Sequence, residues 1–239
     1  MTDAYYDLAR VLKKMGKKVW GADVQSREPA DDLLERVGIS VKPFGVENIT
    51  SNIDLVITTG AHGGLKNPEV LEALEKGIPV MTHAEALGKL MDGFHNRIAI
   101  CGTHGKTTVS SLVSYLLVKM NVPCGYQVGA PSFSGLPGGD FSGNQYFVVE
   151  SDEYAASPGS DNTPRFMFQN PTHILCTNIE HDHVDIYDSI NNTKVAFQAF
   201  FEKLPPDGTL VYCADEPALQ DVINTTHHSR SFGYGISVG

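Results

Sequence analysis

Arg97-Ile98-Ala99-Ile100-Cys101 is a short apolar run that leads without a break into Gly102-Thr103-His104-Gly105-Lys106-Thr107-Thr108. The run reads as a buried strand, and helical spacing from about 106 to 120 follows the loop. Strand, glycine loop and helix in that order form a phosphate cradle. Glycines let backbone N–H groups curl around an anion, and the helix N-terminus adds partial positive charge. Lys106 can reach the β- and γ-phosphates of ATP, and the Thr107 hydroxyl can ligate Mg²⁺. The general G-x-x-x-x-G-K-[ST] pattern would place a glycine at position 100, where this chain has Ile100. The loop is therefore a shorter G-T-x-G-K-T form. The alternative is a chance glycine turn, and within a phosphate loop His104 can serve shape alone.

Downstream, Tyr146-Phe147-Val148-Val149-Glu150 is an apolar strand ending in a carboxylate, and Ser151-Asp152-Glu153-Tyr154 follows. In open α/β sheets ligands bind beyond such strand ends, so Glu150 is a candidate Mg²⁺ ligand. A solvated acidic loop is the competing reading. His173 to Asn178 is a second apolar strand, and Ile179-Glu180-His181-Asp182-His183-Val184-Asp185 comes next. His-Asp-His raises zinc, but no further His/Cys pair lies nearby in sequence, so one histidine assisting Mg²⁺–ATP is favoured. Plain surface histidines remain open. Residues 130–145, rich in Gly, Pro and Ser, read as a loop. A helix is expected at about 190–203 and a strand at 209–212.

Upstream, residues 4–16 have helical periodicity, followed by a strand over 18–23 ending in Asp23. A helix at about 30–37, a strand at 53–60, a helix at 67–76 and a strand at 79–81 come next. This alternation implies a parallel sheet with helices on its faces. The unit opens on a helix, whereas a Rossmann-like unit normally opens on a strand and a glycine-rich turn. The expected fold class is therefore α/β: a Rossmann-like N-terminal domain over 1–94 without its first strand, then part of a phosphate-loop ATPase domain over 95–239 with a mostly parallel sheet. Asp23 can meet a ribose or base, or be simply solvated. Thr58-Thr59-Gly60, at the next strand end, can bind a nucleotide or sugar diphosphate through backbone donors, or form only a flexible turn.

The chain has 239 residues, 41% hydrophobic and 19% charged, and a formal net charge of −10. That composition is globular, and the acidic balance argues against non-specific nucleic-acid binding. No window approaches the roughly 18 consecutive apolar residues of a spanning helix, and the first residues lack a signal-peptide pattern. A cytoplasmic protein without membrane insertion is expected. Cys101, Cys124, Cys176 and Cys213 are widely spaced, and Cys101 and Cys176 sit in apolar runs as buried small hydrophobes.

Together these motifs resemble the UDP-N-acetylmuramate ligases of the Mur ligase family. Gly102 to Thr108 resembles their G-T-H-G-K-T-T loop, and Glu150-Ser-Asp-Glu-Tyr154 their E-A-D-E segment. Thr177-Asn-Ile-Glu-His-Asp-His183-Val-Asp185 resembles [TN]-N-[IL]-E-x-D-H-x-D, and Ala214-Asp-Glu-Pro217 a later D-D-P-like turn. The resemblance implies Gly102 to Thr108 as the ATP loop and Lys106 as the phosphate lysine. It implies Thr107 and Glu150 as Mg²⁺ ligands and His183 as holding a second Mg²⁺, with Asn178 and Glu180 lining the reaction centre. It also implies UDP-N-acetylmuramate near Asp23 and Thr58–Gly64, with an amino acid or peptide as the second substrate. ATP would phosphorylate the substrate carboxylate. An amine would attack the acyl phosphate, and phosphate would leave as the amide forms. L-alanine is the first expectation for the amine and a murein tripeptide the alternative. The family's opening strand and G-x-G-G turn are not matched, and its members continue beyond the region matched here. The resemblance thus implies a fragment that binds ATP without completing ligation. A non-catalytic nucleotide module is the competing class; a small kinase is disfavoured by the Glu150 and His183 motifs. Oligomeric state is not readable from the sequence.

Overall fold

The structure is a computed structural model that describes residues 3–24, 34–157, 161–226 and 230–237. Part of the helix expected at 30–37 lies outside these residues; 34–36 is helical. Helix α1 (Asp3–Lys14) is followed by β1 (Gly21–Asp23) and β2 (Val41–Pro43), which pair in parallel. Strands β3 (Val56–Thr58) and β4 (Val80–Thr82) form a second parallel pair, with α2 (Pro68–Glu75) between them. Asn67 caps α2 by accepting from the Glu69 N–H, and Pro68 takes the first turn, where no N–H is needed. Helix α3 (His83–Met91) starts in a capping box: Thr82 accepts from the Glu85 N–H, and the Glu85 carboxylate accepts in return.

The larger sheet begins at β5 (Asn96–Cys101), and α4 (Lys106–Lys119) follows the glycine loop. Then come β6 (Cys124–Phe133), β7 (Leu136–Phe141) and β8 (Tyr146–Glu150), followed by a small β9 (Ala155–Ser157) and β10 (Asp161–Pro164) hairpin. Strand β11 (His173–Cys176), α5 (Ile190–Phe201), β12 (Thr209–Cys213), α6 (Pro217–Thr225) and β13 (Ser231–Tyr234) complete the described chain. Seven strands lie in the order β13-β12-β11-β5-β8-β6-β7, all parallel except the β6–β7 pair.

The loop expected at 130–145 is instead most of this β-hairpin. Ser134 and Gly135 both have positive φ, 46° and 80°, the geometry that joins twisted antiparallel strands in two residues. The glycines that suggested a loop serve packing. Helix α1 lies on β6 and β7, and a Cβ at Gly139 would overlap the Asp7 backbone.

Alternation along the strands covers both faces of the sheet. Ala99, Cys101, Phe147 and Val149 enter one core with Phe166, Phe197, Phe200 and Phe201. Ile100 and Val148 enter the other, under Val109, Val113 and Leu117 of α4. The first core also takes Leu8 and Val11 of α1 and Leu87 and Met91 of α3. Apolar packing therefore runs from the N-terminal helices into the large sheet. Among the described residues no helix is long and apolar enough to cross a membrane.

Candidate active site

Register places the site. Strand β5 lies between β11 and β8, with Ile100 opposite Glu150 and Cys101 opposite Cys176. The chain therefore leaves all three strands at one level of the sheet, at Gly102, Ser151 and Thr177. From β5 the connections lead first toward β6, β7 and β8. From β8 they cross to β11 on the other side. Such a switch point is where open α/β sheets form a crevice.

The loop after β5 is fastened to the segment after β11. Thr103 N–H donates to Asn178 O at 3.1 Å, and His104 N–H donates to Asn178 Oδ1 at 2.8 Å. Glu180 N–H donates to Thr103 Oγ1 at 2.9 Å, and the Thr177 hydroxyl donates to His104 O at 2.6 Å. Gly102 has φ +130° and stands against this segment; a Cβ there would overlap the Thr177 hydroxyl. Gly105, φ +81°, is the residue before α4. Asn178 and the Glu180 backbone thus shape the loop from behind. The Glu180 carboxylate is exposed, 3.6 Å from the exposed His104 ring.

Lys106 turns inward. Its ammonium donates to Gly102 O at 2.7 Å, Thr103 O at 3.2 Å and Glu153 Oε2 at 2.8 Å. The Glu153 side chain is 2% exposed, and its Oε1 lies 3.6 Å from His183 Nε2. Burial pushes the Glu153 carboxyl up, and Lys106 pulls it back. Glu150 lies beside Gly129 and Thr107. Burial pushes its carboxyl up too, with the Thr107 hydroxyl and Lys106 opposing. Glu150 Oε2 and Glu153 Oε1 are buried and accept no hydrogen bond among the described residues. Buried carboxylate oxygens without donors are costly unless a cation joins them. Thr107 with Glu150 offers a hydroxyl and a carboxylate, and Glu153 with His183 a carboxylate and an imidazole, donor types that suit divalent ions.

His183 sits at φ +51°, its ring 4.7 Å from that of Tyr154. The Tyr154 hydroxyl donates to Asp185 at 2.7 Å, and the Tyr187 hydroxyl donates to Glu153 O at 2.7 Å. These two bonds hold the 183–187 turn against the exit of β8. The His-Asp-His pattern does not act as a unit: Asp152, Glu153 and His183 form the one cluster with metal-ligand proximity among the described residues.

The family description Mur ligase middle domain matches residues 100–238, and Mur ligase family, catalytic domain, matches residues 6–95. The chain belongs to the Mur ligase family. It is 38% identical over 209 residues to the UDP-N-acetylmuramate–L-alanine ligase of Lachnospira eligens, covering 87% of this chain and 43% of that one. It is 37% identical over 234 residues to the enzyme of the same name from Clostridium tetani, covering 97% and 48%. The chain spans about half the length of the curated relatives it matches. In fold it is similar to the Neisseria UDP-N-acetylmuramate:L-alanyl-gamma-D-glutamyl-meso-diaminopimelate ligase. That match has TM-score 0.83 at 23% identity and covers 98% of this chain and 75% of the other. The Thermotoga maritima UDP-N-acetylmuramate–alanine ligase follows at TM-score 0.75 and 22% identity, covering 98% and 50%.

In this Mur ligase chain the structure gathers Gly102 to Thr108, Glu150, Asn178, Glu180 and His183 at one sheet edge. The residues marked for a sugar nucleotide form a separate group. Asp23, buried, lies 3.5 Å from His62 Nε2 and accepts from the Val24 N–H. Thr58 donates to Gly64 O at 3.3 Å, and Thr59 Oγ1 accepts from the Ala61 N–H at 2.8 Å. Gly60 packs near Ser157 of β9, which continues the chain leaving β8. Sequence reasoning missed Glu153 and Tyr187 and gave Thr177 no role beyond membership of its motif. Glu153 stands three residues beyond a strand-terminal carboxylate, a spacing that could have marked it.

Glu150 provides a direct test. A carboxyl whose folded pKa is raised binds protons more tightly folded than unfolded. Its favourable contribution is full below the unfolded pKa, about 4.3, and is lost as pH rises through the folded value. Glu150→Gln is therefore expected to raise the metal-free Tm at pH 7 by a few degrees, roughly 2–4 °C per kcal/mol for a chain of this size. The gain should shrink toward pH 4. A lower Tm at pH 7 in calorimetry would show that the carboxylate is already well compensated.

Proposed function

We propose that this chain binds Mg²⁺–ATP and forms the phosphoryl-transfer part of a ligase that joins L-alanine to UDP-N-acetylmuramate. The observation that carries this reading is the convergence of the phosphate loop, the Glu150 and Glu153 carboxylates and His183 at one level of the sheet. The 36–38% identity to relatives named UDP-N-acetylmuramate–L-alanine ligase supports the substrate choice. Residues 1–94 would hold the UDP-sugar through Asp23, Thr58, Thr59 and Gly60. Residues 95–239 would hold ATP through Gly102 to Thr108. Thr107 and Glu150 would hold one Mg²⁺ and His183 a second, and these ions when bound supply neutralising charge beside the phosphates.

The chain's own part is positioning. Backbone N–H groups of the loop and the α4 N-terminus would cradle the phosphates, and Lys106 would meet charge building on the transferred group. The substrate carboxylate attacks the γ-phosphorus and ADP leaves. The amine then attacks the acyl carbon, and inorganic phosphate leaves as the amide forms. Fixing these reactants in line is the main contribution asked of the protein. A UDP-linked, ATP-consuming reaction of this kind supports a cytoplasmic location.

Phosphate release from a full-length ligase containing this chain tests the reading, with UDP-N-acetylmuramate and either L-alanine or the murein tripeptide. Release with L-alanine is expected. Release with the tripeptide alone would move the assignment to the recycling reaction, and none with any amine would refute ligation.

A further inference from the structure

Lys106 and Glu153 form a contact that a phosphate-binding site must rearrange. All three Lys106 hydrogen bonds go to the protein itself: two to carbonyls of its own loop and one to Glu153. Phosphates seated in the loop would draw the ammonium outward, because a charge-assisted bond to phosphate is stronger than one to a backbone carbonyl. Glu153 would then be left buried and charged without a counter-ion, which typically costs several kcal/mol. Its other oxygen, Oε1, already accepts no hydrogen bond and lies 3.6 Å from His183 Nε2 on a residue only 1% exposed. Asp152 brings a further carboxylate into the same cluster, held by Arg165 at 3.1 Å and by the Tyr154 N–H.

We propose that Glu153 exchanges counter-ions: it holds the Lys106 ammonium in the geometry seen here, and a divalent metal ion, shared with His183 beside Asp152, when Lys106 engages phosphate. This rests on the Mg²⁺–ATP reading above and adds a ligand to it. Lysine and metal then compete for one carboxylate. The loop filling with phosphate and the metal site filling with cation become mutually favourable, as linkage requires of any such coupling.

The test is Mn²⁺ titration of the full chain without nucleotide, followed by electron paramagnetic resonance of the free ion. Lys106→Gln keeps a hydrogen-bond donor and removes the competing charge. It is expected to bind Mn²⁺ about 10-fold more tightly than wild type, a change equivalent to about 1.4 kcal/mol. The double variant Lys106→Gln/Glu153→Gln leaves neither charge of the pair unpaired, so it avoids the folding cost of Glu153→Gln alone. It should lose the whole gain. A Lys106→Gln protein that binds Mn²⁺ no tighter than wild type, or a gain that survives in the double variant, overturns the exchange. ADP binding to wild type, measured separately by calorimetry, reports on the nucleotide site itself. Its absence would refute the Mg²⁺–ATP reading and the exchange with it, whereas ADP binding without the Mn²⁺ gain refutes the exchange alone.

Discussion

Lys106→Ala is expected to weaken ATP binding about 10- to 100-fold, the range for losing a hydrogen bond from a charged donor. The effect has two sources. The variant loses the ammonium that would reach the phosphates, and it strips Glu153 of its counter-ion at 2.8 Å. A 2% exposed carboxylate left in that position without its counter-ion is destabilising. The variant should therefore fold with some loss of Tm while its nucleotide affinity falls much further. Calorimetric titration with ATP and Mg²⁺ reads the first effect and a thermal melt the second. An ATP affinity within twofold of wild type would remove Lys106 from the phosphate site.

Gly102→Ala is the larger insult to structure. At φ +130° an L-residue is strained, and here the added Cβ would also overlap the Thr177 hydroxyl and press on the Asn178 backbone. Relief requires parting the loop from the 177–180 segment, which breaks the bonds from Thr103 and His104 to Asn178. A loss of about 2–4 kcal/mol is expected, or roughly 5–15 °C in Tm for a chain of this size, together with loss of nucleotide binding. Gly105→Ala is the internal control. Its φ is +81°, but the added Cβ would meet only the Thr177 methyl at 3.8 Å, so strain alone, about 1–2 kcal/mol, applies. Equal Tm losses in the two variants would mean that contact with Thr177 contributes nothing.

The parts of this fold written in local chemistry were legible in the sequence. The run 97–101, the loop 102–108 and the helix after it carry their signals within a dozen residues. The β6–β7 hairpin was not legible, because Gly138 and Gly139 resemble loop glycines until the approach of α1 to them is known. Helix α3 was overlooked although Thr82 and Glu85 stand at capping-box spacing. At the site, Glu150 and His183 could be read because they sit in recognisable motifs. Glu153 was marked only by its spacing from Glu150, and its role depends on which way a side chain turns after the strand ends, which Lys106 and the Tyr187 hydroxyl decide from distant segments. Thr177 and Asn178 were readable as motif members. Their work as a backing for the phosphate loop depends on β11 lying beside β5 in one register.

That register also bears on how sequences of this kind can change length. Side chains alternate faces along a strand, so adding or deleting one residue within 146–150 would carry Glu150 to the wrong side of the sheet. The segment between β8 and β11 can change length in its β9–β10 hairpin without altering where either strand ends, provided Phe166 keeps its place in the core. Insertions over evolutionary time should therefore collect between the strands, while the three short runs that set the level of Gly102, Glu150 and Thr177 keep a fixed count.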